Sequence, residues 1–123
     1  CFISARLDDA GRIVQFSDVA QIAFGERVGG RSPRVDALAA ACEGALFETK
    51  ASPAIMQEMW EKWMFLATFA GATCLFRASI GDVVSAGGAD VIRALLDECR
   101  AIASAAGHAP SEKYWQMSCE RLT

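Results

Sequence analysis

The sequence predicts a small α/β edge fragment, a β-meander with one helix and one further strand, followed by an all-α domain, mostly α overall. Three observations carry that expectation. Residues 2–24 alternate apolar and polar side chains between turn residues, the period-2 pattern of half-buried strands. From Pro53 onward apolar residues recur at helical spacing and no strand pattern returns. Two Ser-Pro pairs, Ser32-Pro33 and Ser52-Pro53, open helical stretches, with serine as N-cap and proline at the first helical position.

Taken in order, Phe2 to Leu7 reads as the first strand. Asp8-Asp9-Ala10-Gly11 is turn chemistry, short polar side chains that bond their own backbone and a glycine free to take positive φ. Arg12 to Phe16 is a second strand, Ser17-Asp18 is expected to end it, and Val19 to Phe24 is a third. Links this short require antiparallel pairing, since a parallel crossover needs a dozen or more residues. Gly25 to Arg31 is a charged, glycine-rich loop. A helix is expected from Pro33 to about Ala45 with Val35, Leu38, Ala39 and Cys42 along one stripe, then a strand from Leu46 to Ala51. A sheet this small needs a neighbour to cover it. The domain boundary falls at Ser52, giving residues 1–52 and 53–123. Both ends of the chain read as lying within elements, as in a fragment of a larger protein.

The long helix expected from Pro53 to Phe76 is amphipathic at first, with Glu58, Glu61 and Lys62 beside Met56, Met59, Trp60 and Trp63. Trp63 to Phe76 carries no charge. That apolar stretch is short of the ~20 residues that span a bilayer, so it reads as a central core helix and no membrane is expected. Ser79-Ile80-Gly81-Asp82 breaks it and opens a short helical turn. Gly87-Gly88 precedes a helix from Ala89 to Ala106, with Val91, Ile92, Leu95, Leu96, Cys99, Ile102 and Ala103 on one face. Gly107 is its C-cap and Pro110 a stop beyond it. Ser111 starts a last helix through Tyr114, Trp115 and Met117.

With 12 basic and 15 acidic side chains and no Lys/Arg run, the chain has no footprint for nucleic acid. Five scattered cysteines, no C-x-x-C pair and one histidine do not make a metal site. Cys42, Cys74 and Cys99 sit in apolar helical pattern, where a thiol packs as a small hydrophobe. Reduced thiols point to the cytoplasm.

Lys62 stands where the polar half of the long helix gives way to the apolar half. A lysine there can be partly desolvated and suited to acid–base work. Equally, Glu58 four residues earlier is the favourable order for an ordinary ion pair. Thr73, eleven residues after Lys62, returns to within about 20° of the same face and lies some 16 Å along the axis. A threonine in an apolar helix commonly bonds the carbonyl one turn back. Gly25-Glu26 with Gly29-Gly30 lacks the spacing of a phosphate loop and reads as a surface turn. His108 reads as a surface residue past a C-cap, and Arg93 and Glu98 as solvated.

Together these residues resemble the ketopantoate reductase (2-dehydropantoate 2-reductase) family. Met59-Trp60-Glu61-Lys62-Trp63 resembles the start of that family's helical domain. Gly11-Arg12-Ile13-Val14 and Phe24-Gly25-Glu26 resemble the end of its cofactor domain. Thr73, Ile80-Gly81-Asp82, Leu95-Leu96-Asp97-Glu98 and Ala106-Gly107-His108 follow in the family's order. The resemblance spans essentially the whole chain. It implies the C-terminal part of an NADP-binding Rossmann domain in residues 1–52, and a helical substrate and dimerisation domain, truncated, in residues 53–123. The implied activity is NADPH-dependent reduction of a small-molecule 2-oxo acid, ketopantoate to pantoate in pantothenate biosynthesis, by a cytoplasmic homodimer.

By the same resemblance Lys62 is the catalytic lysine, a general acid toward the carbonyl oxygen, and Thr73 matches the threonine of the family's Asn-Pro-Leu-Thr segment, a candidate substrate-side or structural position. Two positions depart. The family places asparagines four and eight residues after the lysine, where this chain has Leu66 and Ala70, so the substrate is expected to be ketopantoate or a more apolar 2-oxo acid. The glycine-rich cofactor motif is not in this stretch, which alone is expected neither to turn over substrate nor to bind NADPH. The alternative from a different class is a non-catalytic helical interaction or dimerisation module.

Overall fold

Alternating side chains near the N-terminus form the strands β1 (Phe2–Leu7) and β2 (Ile13–Phe24), in a computed structural model that describes all residues from Cys1 to Thr123. Asp8 closes the turn between them. Its carboxylate accepts the backbone N–H groups of Ala10 and Arg12, each at 2.9 Å, and the Arg12 guanidinium at 2.8 Å. The Arg12 backbone and then its side chain hold the Asp8 carboxyl below its ordinary range. Gly11 takes φ 74°, as expected of a glycine turn.

The expected break at Ser17-Asp18 does not occur: β2 is one strand of 12 residues, and the meander is a two-stranded hairpin. Ile3 pairs with Ala20 and Ala5 with Gln15, so residues 16–19 stand opposite Ser4 alone. The polar pair is absorbed as a bulge, inside which the Gln15 amide donates to the Ser17 carbonyl. The sheet is completed by β3 (Glu48–Ala51), parallel to β2 from Gln21↔Glu48 to Phe24↔Ala51, in the order β1-β2-β3. Residues 25–47 supply the long crossover that a parallel pair requires.

Within the crossover lies α1 (Pro33–Ala41), shorter than expected. Ser32 caps it, accepting from Val35 N–H, and Gly44 takes φ 79° just beyond its end. Of the expected stripe only Val35 is buried; Leu38 is exposed. Glu26 anchors the loop before α1, accepting from the Ser32 hydroxyl and the Arg34 guanidinium. The Arg34 bond first, then the Ser32 bond, hold its carboxyl down at about 2. A Cβ on Gly25 would fall 2.2 Å from the Ser52 carbonyl oxygen, so only glycine admits that close approach.

The chain divides into two compact units, Cys1–Ile55 and Met56–Thr123. The second is helical: α2 (Ile55–Phe76), α3 (Ile80–Ser85), α4 (Ala89–Ala105) and α5 (Glu112–Leu122), and a little over half of the chain is helix. Helix α2 begins at Ile55 and not at Pro53, because the Ser52 hydroxyl accepts Ala54 N–H at 3.1 Å in a turn ahead of it. Ser79 and Ser111 cap α3 and α5. Helices α3 and α4 both end on a left-handed glycine. Gly87 donates to Val84 and Gly88 to Val83; Gly107 donates to Ser104 and His108 to Ala103. That paired pattern satisfies carbonyls that would otherwise be orphaned.

The core of this unit is Met64 and Ala72 of α2, Val83 of α3, Ile92, Leu96 and Cys99 of α4, and Trp115 and Leu122 of α5. Two buried hydroxyls are satisfied locally, Thr68 donating to the Met64 carbonyl and Ser118 to that of Tyr114. A Cβ on Gly71 would lie 2.8 Å from a Leu95 methyl, so glycine there lets that side chain approach the α2 backbone closely. Two of the simpler readings need correction. Arg93 is not merely solvated: with Arg100 it stacks on the buried Trp115 ring, at 4.9 and 4.3 Å from its centroid. Of the three helical cysteines only Cys99 is buried; Cys42 is half-buried and Cys74 exposed. No helix is long and apolar enough to cross a membrane.

Two outcomes follow. Leu96→Ala removes a fully buried side chain and should lower stability by about 2–5 kcal/mol, read by chemical denaturation, whereas Leu38→Ala on exposed α1 should stay within about 0.5 kcal/mol. The folded-state pKa of Glu26 is depressed, so its contribution is present above the unfolded value and lost as pH falls. The difference in thermal midpoint between wild type and Glu26→Gln should therefore be constant above about pH 4.5 and close between there and about pH 2.

Candidate active site

Helix α2 has two unlike sides, and the 100° step between residues assigns them. Gln57, Glu61, Met64, Thr68 and Ala72 share one side, of which Met64, Thr68 and Ala72 are buried. Met59, Lys62, Leu66, Phe69, Ala70 and Thr73 share the other. Along it Met59, Lys62, Leu66, Phe69 and Ala70 are exposed and Thr73 is half-buried. Leu66 is 46% and Phe69 42% accessible, so this is an uncovered apolar stripe and not a packed one. Lys62 is the only basic side chain of α2 and sits exposed at the polar end of the stripe, so the partial desolvation expected at that junction is not seen.

Thr73 shares the Lys62 face, as the spacing requires. Its hydroxyl donates to the Phe69 carbonyl at 2.8 Å, with the Ala70 carbonyl at 3.3 Å. The single hydroxyl proton is thus used on the helix backbone, and only lone pairs remain for any other partner.

A second cluster binds the loop between α4 and α5 onto the first turns of α2. The His108 ring stacks on Trp60 at 5.6 Å with planes 16° apart. The Gln57 amide nitrogen donates to the Ala109 carbonyl at 2.9 Å, which turns its oxygen toward His108 Nδ1, 3.3 Å away. That arrangement assigns the ring proton to Nδ1. Glu61 accepts Ser111 N–H at 2.8 Å. Burial, and then the Glu61 charge, push the Tyr114 phenol up. His108 is therefore half-buried and held on two sides, and the surface reading of it is corrected. Gln57, Trp60 and Glu61 at i, i+3 and i+4 were readable as one helix face; their partners fifty residues on were not. Trp63 meets Trp60 edge-on at 5.3 Å, so the residue beside Lys62 is braced by the same cluster.

In the loop between β2 and α1 two glycine amides are engaged by the backbone. Gly29 N–H donates to the Glu26 carbonyl at 2.9 Å and Gly30 N–H to that of Pro53 at 2.8 Å, so both amides are already paired.

Comparison with known proteins converges on one family. The family model described as ketopantoate reductase PanE/ApbA C terminal matches residues 54–122. A curated relative from Bacillus subtilis (strain 168), named uncharacterized oxidoreductase YkpB, is 36% identical over 85 residues, 69% of this chain and 28% of that protein. The crystal structure of 2-dehydropantoate 2-reductase from Methylococcus capsulatus superposes with a TM-score of 0.76 at 29% identity, over 98% of this chain and 39% of that one. The enzyme of the same name from Porphyromonas gingivalis W83 shares the fold, with a TM-score of 0.84 at 22% identity, covering 98% of this chain and 42% of the other. The chain thus spans well under half the length of these relatives.

If the Gln57 cluster holds the 107–111 loop, Gln57→Ala removes two of its side-chain contacts and should cost about 1–2 kcal/mol. Amide hydrogen exchange in residues 107–111 should quicken while the α4 core amides stay protected. Unchanged exchange in that loop would mean the contacts do not restrain it.

Proposed function

The chain belongs to the ketopantoate reductase family, and from that premise we propose that the full-length protein carrying it is an oxidoreductase that reduces a 2-oxo acid to a 2-hydroxy acid. The reductant is NADPH, and the substrate is ketopantoate or a close relative. Residues 1–52 belong to the cofactor domain and residues 53–123 to the substrate domain. The protein works as a cytoplasmic homodimer. The observation that carries this reading is Lys62: the only basic side chain of α2, exposed, at the polar end of an apolar stripe.

Reduction of a 2-oxo acid adds a hydride to the carbonyl carbon and a proton to its oxygen. NADPH, when bound, would supply the hydride. Lys62 supplies the proton. As an ammonium it first donates a hydrogen bond to the carbonyl oxygen, favouring the negative charge that grows there, and then transfers the proton to form the hydroxyl. The Gln57–His108–Trp60 cluster keeps this part of α2 in place, so the ammonium is presented from a braced helix and not from a loop.

The uncovered apolar side chains of β1, β2 and α2 favour a second reading, a helical interaction or dimerisation module without chemistry of its own. The two readings differ on Lys62. In the full-length protein, Lys62→Ala should lower kcat for 2-oxo-acid reduction by about 10²–10⁴-fold, with thermal stability unchanged because the side chain is exposed. An unaltered kcat in the Lys62→Ala variant would remove the general-acid role.

A further inference from the structure

We infer that the 2-oxo acid taken at the Lys62 face has an apolar, branched tail without a hydroxyl group. The inference rests on the reductase reading and goes on to name the substrate class within it. A 2-oxo acid has two kinds of end. Its carboxylate and carbonyl oxygens need donors and a positive charge, which on α2 only Lys62 offers. Its tail then lies on the side chains that surround Lys62 on this face.

Leu66 is one helical turn beyond Lys62, about 6 Å along the axis, and Ala70 two turns, about 12 Å. Both are exposed on the Lys62 face, and neither side chain can donate or accept a hydrogen bond. Met59 and Phe69 flank them, equally exposed and apolar. Thr73, the one hydroxyl on this face, is about 16 Å from Lys62 along the axis and has its proton committed to the Phe69 carbonyl. Trp63 lies a 100° step round from Lys62 and about 60° from Leu66, and its ring meets that of Trp60 edge-on at 5.3 Å. A tail hydroxyl laid against Leu66 or Ala70 gains no hydrogen-bond partner from either side chain. A methyl group in the same position gains apolar contact instead.

The test compares two acids that differ by that one group, ketopantoate and trimethylpyruvate, the same carbon skeleton with hydrogen in place of the tail hydroxyl. In the full-length protein with NADPH, kcat/KM should favour trimethylpyruvate by about ten- to a hundred-fold, the discrimination an apolar pocket achieves against an added hydroxyl. Leu66→Asn restores a hydrogen-bonding side chain at an exposed position and should narrow that ratio by raising kcat/KM for ketopantoate. Ala70→Asn is the second variant, should the first perturb the helix. Equal or better use of ketopantoate by the wild type overturns the inference and leaves the reductase reading standing. A preference that both asparagine variants leave unchanged overturns it as well, since the stripe would not be its source. No reduction of either acid, nor of any other 2-oxo acid, overturns the reductase reading and this inference with it.

Discussion

Helix α2 must do two incompatible things along its length, and it does them on opposite sides. One side packs Met64, Thr68 and Ala72 into the core formed with α3, α4 and α5. The other leaves Leu66, Phe69 and Ala70 uncovered beside Lys62. Because nearly every residue from Trp63 to Phe76 is apolar, composition does not choose the inward side; size and shape do. Gly71 admits a Leu95 methyl against the helix backbone, and Thr68 buries its hydroxyl by bonding its own helix. Small residues and self-satisfied hydroxyls therefore orient the helix, and that orientation decides which way Lys62 points.

The braced end of α2 gives this orientation a second support. Gln57, Trp60 and Glu61 each hold a different atom of the loop between α4 and α5: a carbonyl and a ring, a ring face, and a backbone N–H. The loop itself starts from a helix end whose glycine, at φ 84°, turns the chain back toward α2. For the general-acid role proposed for Lys62, a clamp one turn away would supply a fixed position without occupying the site.

Most of the helical unit was legible in the sequence because its signals are local. Ser79 and Ser111 cap, Gly87 and Gly107 terminate, and each acts on backbone groups within a few residues. What was not legible depends on partners distant in sequence. Ser17-Asp18 has turn composition, yet the ladder with β1 carries it through as a bulge. The direction of β3 is set by the crossover and not by its four residues. Leu38, in a stripe that reads as amphipathic, is exposed because only Val35 of that stripe meets the unit's interior. His108 and Arg93 look like surface residues until Trp60 and Trp115 are brought beneath them. On α2 the positions of Lys62 and Thr73 follow from the 3.6-residue repeat alone, but that the Thr73 hydroxyl bonds the Phe69 carbonyl, 2.8 Å away, does not.

The central claim is that Lys62 delivers a proton to the substrate oxygen from an exposed site on a braced helix. Chemical rescue tests it directly. In the full-length Lys62→Ala variant, ethylamine added to a single-turnover reduction of the preferred 2-oxo acid should restore the rate in proportion to the concentration of protonated amine, because an exposed cavity admits the small ammonium that replaces the lost one. Restoration by ethylamine but not by an equal ionic strength of a quaternary ammonium salt, which has no proton to give, is the predicted result. A rate indifferent to the primary amine, or raised equally by both salts, would contradict the assignment.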